Sequence, residues 1–294
     1  MEKSILAKPQ ITGKLKLYWQ LIKSLQTGLL LIVGVTGYIS ARCPVVTWET
    51  FLGLLGSLFL TISGSTILNM VYDRDIDAKM KRTAQRPLPS GKINVTEALI
   101  VGLMVSLLGL IWAYALLPLY GLVVFAGLFI DVVIYTIWLK RRTAWSIVWG
   151  GISGGMPILA GRVLGTGQID GIGILFALSI LLWIPTHILT FSMRYDQDYQ
   201  NAGVPTFPSQ YGERTTRIII AFSSIAAAVS IGLGAFALGL SWGYLRLLSV
   251  LAVGIVGLAL VSVFRPSEKV NFGLFKYASL FMLGSMVMLT IGTM

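Results

Sequence analysis

Asn69, Asp73 and Asp77 stand four residues apart at the end of a long apolar run. On a helix that continues through them, one amide and two carboxylates share a single face, while Asp75 points elsewhere. Three of the chain's 12 acidic residues fall within five positions here, joined by six basic residues between Arg74 and Lys92. Converging carboxylate oxygens are hard ligands suited to Mg2+, which commonly takes one or two protein carboxylates together with the phosphates of a substrate. Lys79, Lys81, Arg82 and Arg86 could neutralise further phosphate charge. The other reading of the stretch is a solvated loop whose mixed charges serve membrane topology alone.

Two later segments invite comparison. Tyr135 to Thr143 ends an apolar run with three adjacent cations, Lys140, Arg141 and Arg142, which positive-inside anchoring would also explain. His187 to Gly212 contributes Asp196 and Asp198. Five of the 12 acids therefore lie at the ends of two apolar runs about 120 residues apart. Two acidic clusters facing one cavity could hold two or more Mg2+ ions around a diphosphate. Ionising an allylic diphosphate needs charge stabilisation on the leaving group, and the carbocation then needs a dry, apolar cavity.

The elements that must position these groups are membrane helices. Of 294 residues, 55% are hydrophobic and only 12% charged, with mean hydropathy +0.81. Such a chain reads as an all-α polytopic membrane protein, and a soluble domain has no room beside its spans. Nine spans are expected, at about 20–41, 49–72, 95–116, 119–139, 145–165, 171–193, 215–237, 243–264 and 271–293. Lys14 to Lys23 forms an amphipathic approach to the first of them, suited to lying along the interface or serving as a plain basic flank. Alternating sides, 19 of the 23 Lys and Arg residues fall on one side of the membrane, against Arg42, Arg162 and Arg246 on the other, with Lys276 inside the ninth span. The N-terminus is therefore expected in the cytoplasm, the C-terminus outside, and the acidic loops on the cytoplasmic face. The net charge of +11 reports topology and gives no reason to invoke nucleic acid. Cys43, the single cysteine, excludes an internal disulfide, and no removable signal peptide is expected. Residues 1–294 read as one transmembrane domain, of which 1–19 is a basic cytoplasmic segment.

With these motifs in hand, the chain resembles the UbiA superfamily of intramembrane prenyltransferases, and within it the haem-farnesylating branch. Asn69, Asp73 and Asp77 match the superfamily's first Asp-rich motif. Tyr72 to Asp77 with Met80 to Thr83, Arg86 to Gly91, Tyr135 to Thr143, Gly150 to Pro157, and Asp198 to Pro205 match further words, in order, over roughly residues 20–215. The resemblance implies transfer of a farnesyl group from farnesyl diphosphate to the vinyl group of haem B in a cell membrane, from a cytoplasm-facing site. It implies Mg2+ held by Asn69, Asp73 and Asp77, with Asp196 and Asp198 in the place of a second Asp-rich motif. Arg86, Lys140, Lys23, Arg82 and Arg194 would bind the diphosphate, and a membrane partner in terminal oxidase haem supply would follow. The chain departs from the branch at Pro185-Thr186-His187-Ile188-Leu189, at Lys23-Ser24, at Pro205 to Pro208, and at Asp131, where an apolar or aromatic residue is expected.

His187, the single histidine, lies inside a span, where ionisable groups usually face a cavity or a partner. It is expected to line the acceptor site, as an iron ligand or as a histidine hydrogen-bonded between helices. Asp131 is expected to pair with His187 or a nearby arginine. Two other functions stay open: the same chemistry on a quinone precursor or a prenylated glycerol phosphate, and an ion transporter. A transporter would carry polar residues through the full depth of its spans and inverted repeats. The acids instead crowd at one side.

Overall fold

A computed structural model describes residues 11–42 and 47–294, so Cys43 and the basic residues Lys3 and Lys8 lie outside the described residues. Everything regular in it is helical: α1 (Ile11–Leu21), α2 (Ser24–Ser40), α3 (Trp48–Tyr72), α4 (Arg74–Lys79), α5 (Val95–Leu116), α6 (Pro118–Phe129), a π-helical segment (Ile130–Leu139), α7 (Ser146–Thr166), α8 (Gly171–Arg194), α9 (Asp196–Asn201), α10 (Phe207–Ala237), α11 (Trp242–Phe264) and α12 (Glu268–Thr293). Eight helical runs are long and apolar enough to cross a membrane. A ninth is possible if α1 from Gly13 and α2, which meet at a 55° bend, form one broken span. The bend sits at Lys23, whose backbone is left-handed (φ 47°).

Short polar residues start the helices where the sequence changes from loop to apolar run. Thr47, Asn94, Asp170 and Ser267 each accept a backbone N–H of the first turn of α3, α5, α8 and α12, and Thr206 with Ser209 forms a capping box for α10. Pro118 opens α6, where its missing N–H costs nothing.

Packing follows from small residues, because lipid is as apolar as leucine and close backbone approach is what holds spans together. α2 crosses α7 where Gly161 lies against the Gly34 carbonyl and Gly37 against the Ile158 carbonyl, each leaving no space for a Cβ. In the glycine-rich stretch of α7, Gly155 sits on the Ala177 carbonyl of α8, and Gly151 and Gly154 receive Leu181 and Ile184. From these crossings the helices extend both ways. α2 also touches α3, which packs on α5, while α8 continues through α10 and α11 to α12, and α12 returns onto α2 and α8. One apolar core joins α7, α8 and α10–α12 around Phe176, Ile220 and Phe281, and another joins α2, α3 and α5–α7 around Leu54, Tyr120 and Ala160.

A third, smaller cluster matters most for function. Ile76 and Met80, from the chain just after α3, pack on Ala202 and Val204, just after α9, with Tyr199 alongside. The two acidic segments, far apart in sequence, therefore meet at one end of the bundle.

Candidate active site

The centre of that end is an interlock between α3 and the π-helical segment. Ser65, Asn69 and Asp73 succeed one another every four residues on α3. Facing them are Asp131, Thr136 and Lys140, spaced five and then four. In the π segment the ladder runs from residue i+5, as when the Lys140 N–H donates to the Tyr135 carbonyl, so residues five apart come onto one side. Ser65 Oγ donates to Asp131 Oδ2 at 2.5 Å, and Asn69 Nδ2 donates to the same oxygen at 2.8 Å. Thr136 Oγ1 donates to Asn69 Oδ1 at 2.9 Å. Lys140 Nζ donates to Asp73 Oδ2 in a short ion pair. The expected pairing of Asp131 with His187 or an arginine is thus corrected: its partners are a hydroxyl and an amide, which the π winding places opposite it.

Asp77, on the short helix α4, is buried and accepts from Arg86 Nη1 at 2.8 Å. Thr83 ties the intervening loop back by donating to the Asp77 carbonyl. Asp75 faces away, as the spacing implies, and takes both Arg141 Nη1 and Nη2 at 2.8 and 2.7 Å. Those hydrogen bonds hold the Asp75 carboxyl below its ordinary range. Lys23 makes no ion pair among the described residues. It lines a cavity of about 340 Å3 with Gln20, Met70, Arg82, Gln85, Arg86 and Pro87, so three cations converge on one hollow beside Asp77.

The second acidic segment meets the first loop beside this hollow. Arg82 lies over the rings of Phe191 and Tyr195, at 4.9 and 5.5 Å, which clamps the first loop to the end of α8. Tyr199, inside the matched word Asp198 to Pro205 but given no role by the sequence, is half-buried within electrostatic range of Arg82, Lys140, Arg86 and Asp77. Burial raises its phenol pKa, against the pull of those cations. Asp196 accepts from Gln200 at 2.6 Å and from Thr206 at 3.3 Å, and Asp198 makes no ion pair among the described residues. Arg194 stacks at 4.0 Å on Phe272 of α12, a ring that Lys276 also covers, and lies 5.8 Å from the Tyr195 ring that Arg82 shares. His187 is sandwiched between Trp183 and Phe275, with centroids at 4.9 and 4.6 Å, and its Nδ1 is 3.4 Å from Ser279 Oγ.

The donor set suits a hard cation. Asp73 Oδ1 is buried and has no hydrogen-bond partner, an orphaned carboxylate oxygen of the kind that asks for a ligand. Among the described residues no three carboxylates or histidines gather at one point, so a divalent ion here would complete its coordination with substrate oxygens, as Mg2+ habitually does. Lys140 and Arg86 each hold one carboxylate, and a divalent ion that took over those charges would free both cations for anionic oxygens.

The profile of the UbiA prenyltransferase family matches residues 30–283. This chain belongs to the UbiA prenyltransferase family. It is therefore a prenyltransferase, and a multi-pass membrane protein. Among relatives, a protoheme IX farnesyltransferase from Pyrobaculum islandicum is 38% identical over 89% of this chain and 94% of its own length. Among solved UbiA-type folds, a structure described for digeranylgeranylglyceryl phosphate synthase aligns with a TM-score of 0.80 at 20% identity, over 95% of this chain and 98% of that one. A UbiA homologue from Archaeoglobus fulgidus bound to DMAPP and Mg2+ aligns with a TM-score of 0.69 at 16% identity, over 93% and 99%. At such identities the structures speak for the fold, which here is the family's helix bundle.

Proposed function

We propose that this prenyltransferase moves a farnesyl group from farnesyl diphosphate to a vinyl group of haem B, giving haem O. The observation that carries the reading is the pair of buried carboxylates, Asp73 and Asp77, each held by a cation and one of them with an orphaned oxygen, in a chain 38% identical to a protoheme IX farnesyltransferase. Asn69, Asp73 and Asp77, with Asp196 and Asp198, are the residues that would hold Mg2+. The metal supplies charge neutralisation on the leaving diphosphate. Lys23, Arg82, Arg86 and Lys140 bind and orient its oxygens, with Arg194 at the rim. The C–O bond of the allylic diphosphate breaks with its electron pair on diphosphate, the farnesyl carbon bonds to the outer vinyl carbon, and water adds to the cation left on the inner carbon, giving the hydroxyl and releasing one proton to diphosphate or solvent. His187 would line the acceptor site by its ring edge, with Trp183 and Phe275 stacked on its two faces.

Residues 1–294 act in this reading as one domain in the cell membrane, with a cytoplasmic N-terminus, a site facing the cytoplasm and an external C-terminus, as the bias of Lys and Arg to one side supports. A membrane partner in terminal oxidase haem supply would take the product. The test is incubation of detergent-purified protein with farnesyl diphosphate, Mg2+ and haem B, followed by mass analysis of the porphyrin, with Asp73→Ala as control. A farnesylated haem that disappears in the control supports the reading. Unchanged haem, with the prenyl group passed to a phenolic or glycerol phosphate acceptor, moves the function to another substrate.

A further inference from the structure

A carboxylate inside a membrane span is costly, and Asp131 has no cation in direct contact to offset it. Its two contacts are neutral donors, Ser65 and Asn69, and both reach the same oxygen. The consequence falls on Asn69. Asn69 turns its NH2 to Asp131 Oδ2, which also takes the Ser65 hydroxyl, so its carbonyl oxygen points the other way. Thr136, fully buried five residues further along the π segment, completes the restraint by donating to that oxygen. One lone pair of Asn69 Oδ1 is left for another partner. The remaining residues of the motif continue along α3 in the same direction, Asp73 one turn on and Asp77 beyond it on α4.

We infer that Asp131 is a positioning residue: it fixes the amide of Asn69 so that an oxygen, never a nitrogen, is presented to the metal–diphosphate site. This rests on the reading in which Asn69 is a metal ligand. Without Asp131 the amide is free to turn over, and an NH2 group cannot ligate a cation. An aspartate at 69 would need no such control, because both ends of a carboxylate are oxygen. It would, however, face Asp131 across a hydrogen-bond distance with like charge.

The experiment measures Mn2+ binding to the purified full chain by electron paramagnetic resonance of the free ion, in the presence of the unreactive farnesyl thiolodiphosphate. Asp131→Leu should weaken Mn2+ binding by about 10- to 100-fold, the usual cost of losing a residue that orients a metal ligand. Asp131→Asn can still accept from Asn69 and should stay within about 3-fold of the wild type. Asn69→Asp alone should bind poorly, whereas Asn69→Asp combined with Asp131→Leu should recover affinity over Asp131→Leu. A residue needed merely for folding would not give that reciprocal rescue. If Asp131→Leu does not yield monodisperse protein, Asp131→Val carries the same comparison. Wild-type affinity in Asp131→Leu, or no recovery in the double variant, overturns the inference while leaving the metal site standing. A wild-type protein with no saturable Mn2+ binding overturns the metal site and the inference together.

Discussion

Replacing Lys140 by methionine keeps the length of the side chain and removes the charge that Asp73 depends on. The Asp73 side chain is 8% exposed, that of Lys140 21%, and the second Asp73 oxygen already lacks a partner. Losing one partner of a buried ion pair strands the other and costs about 3–5 kcal/mol. The fifth of Lys140 that reaches solvent points to the lower limit, about 3 kcal/mol. At roughly 2 °C per kcal/mol for a chain of this size, the melting temperature in detergent should fall by about 6 °C. Asp73→Asn in the same background removes the stranded charge, so the double variant should regain about 2 kcal/mol although it stays inactive. The assay is thermal unfolding of wild type, both single variants and the double variant, without metal or diphosphate. If the two substitutions add, with a double variant as destabilised as the sum of the singles, then the cation does not hold Asp73 and the proposed turn of Lys140 towards phosphate loses its basis.

Asp196→Ala and Asp198→Ala touch no packed core, so each should leave the melting temperature within the effect of about 0.5 kcal/mol while lowering prenyl transfer by about 100-fold; full turnover would remove the second acidic segment from the site. His187→Ala opens the stack between Trp183 and Phe275 and should weaken haem B binding about tenfold or more by absorbance titration, and normal binding and turnover would end its acceptor role. Gly161→Ala pushes a Cβ into the Gly34 carbonyl where α7 crosses α2 and should cost about 3 kcal/mol, read as lost monodispersity on size exclusion; an unaffected variant would show that the crossing relaxes. Asp170, at the opposite end, takes Arg162 at 2.6–2.9 Å, and these hydrogen bonds hold its carboxyl below the ordinary range. Its contribution is present above about pH 4 and lost as pH falls through the lowered folded value, so wild type should lose stability to acid more steeply than Asp170→Asn. Parallel acid profiles would refute that.

What the chain's linear pattern determines is whatever depends on residue type and short spacing. Apolar runs of spanning length settle the helical membrane class, because in lipid each backbone group must be satisfied within its own segment. The four-residue spacing puts Asp73 one turn beyond Asn69 and Asp77 one turn beyond Asp73, across a break at Asp73 (φ −86°, ψ 4°) where α3 ends and α4 begins. Asp75, out of that spacing, turns away and finds Arg141.

Tertiary structure decided what depends on winding and on which helix lies opposite. Hydropathy averages over a break, so one run from 20 to 41 hides the left-handed Lys23 and the bend that brings its ammonium into the cation-lined hollow. A 3.6-residue period assigns Asp131 and Thr136 to different faces, whereas π winding gives them a common side facing α3, and so Asp131 meets Asn69 and not His187. Tyr199 lies in a matched word, but its type and spacing assign it no role; it joins the site because Ile76 and Met80 pack on Ala202 and Val204. Arg194 reads as one more loop cation until α12 supplies Phe272 beneath it. Local periodicity fixes which residues share a face of one helix, but the partner of a buried polar group is fixed by packing between helices, and that is where the chemistry of this site is assembled.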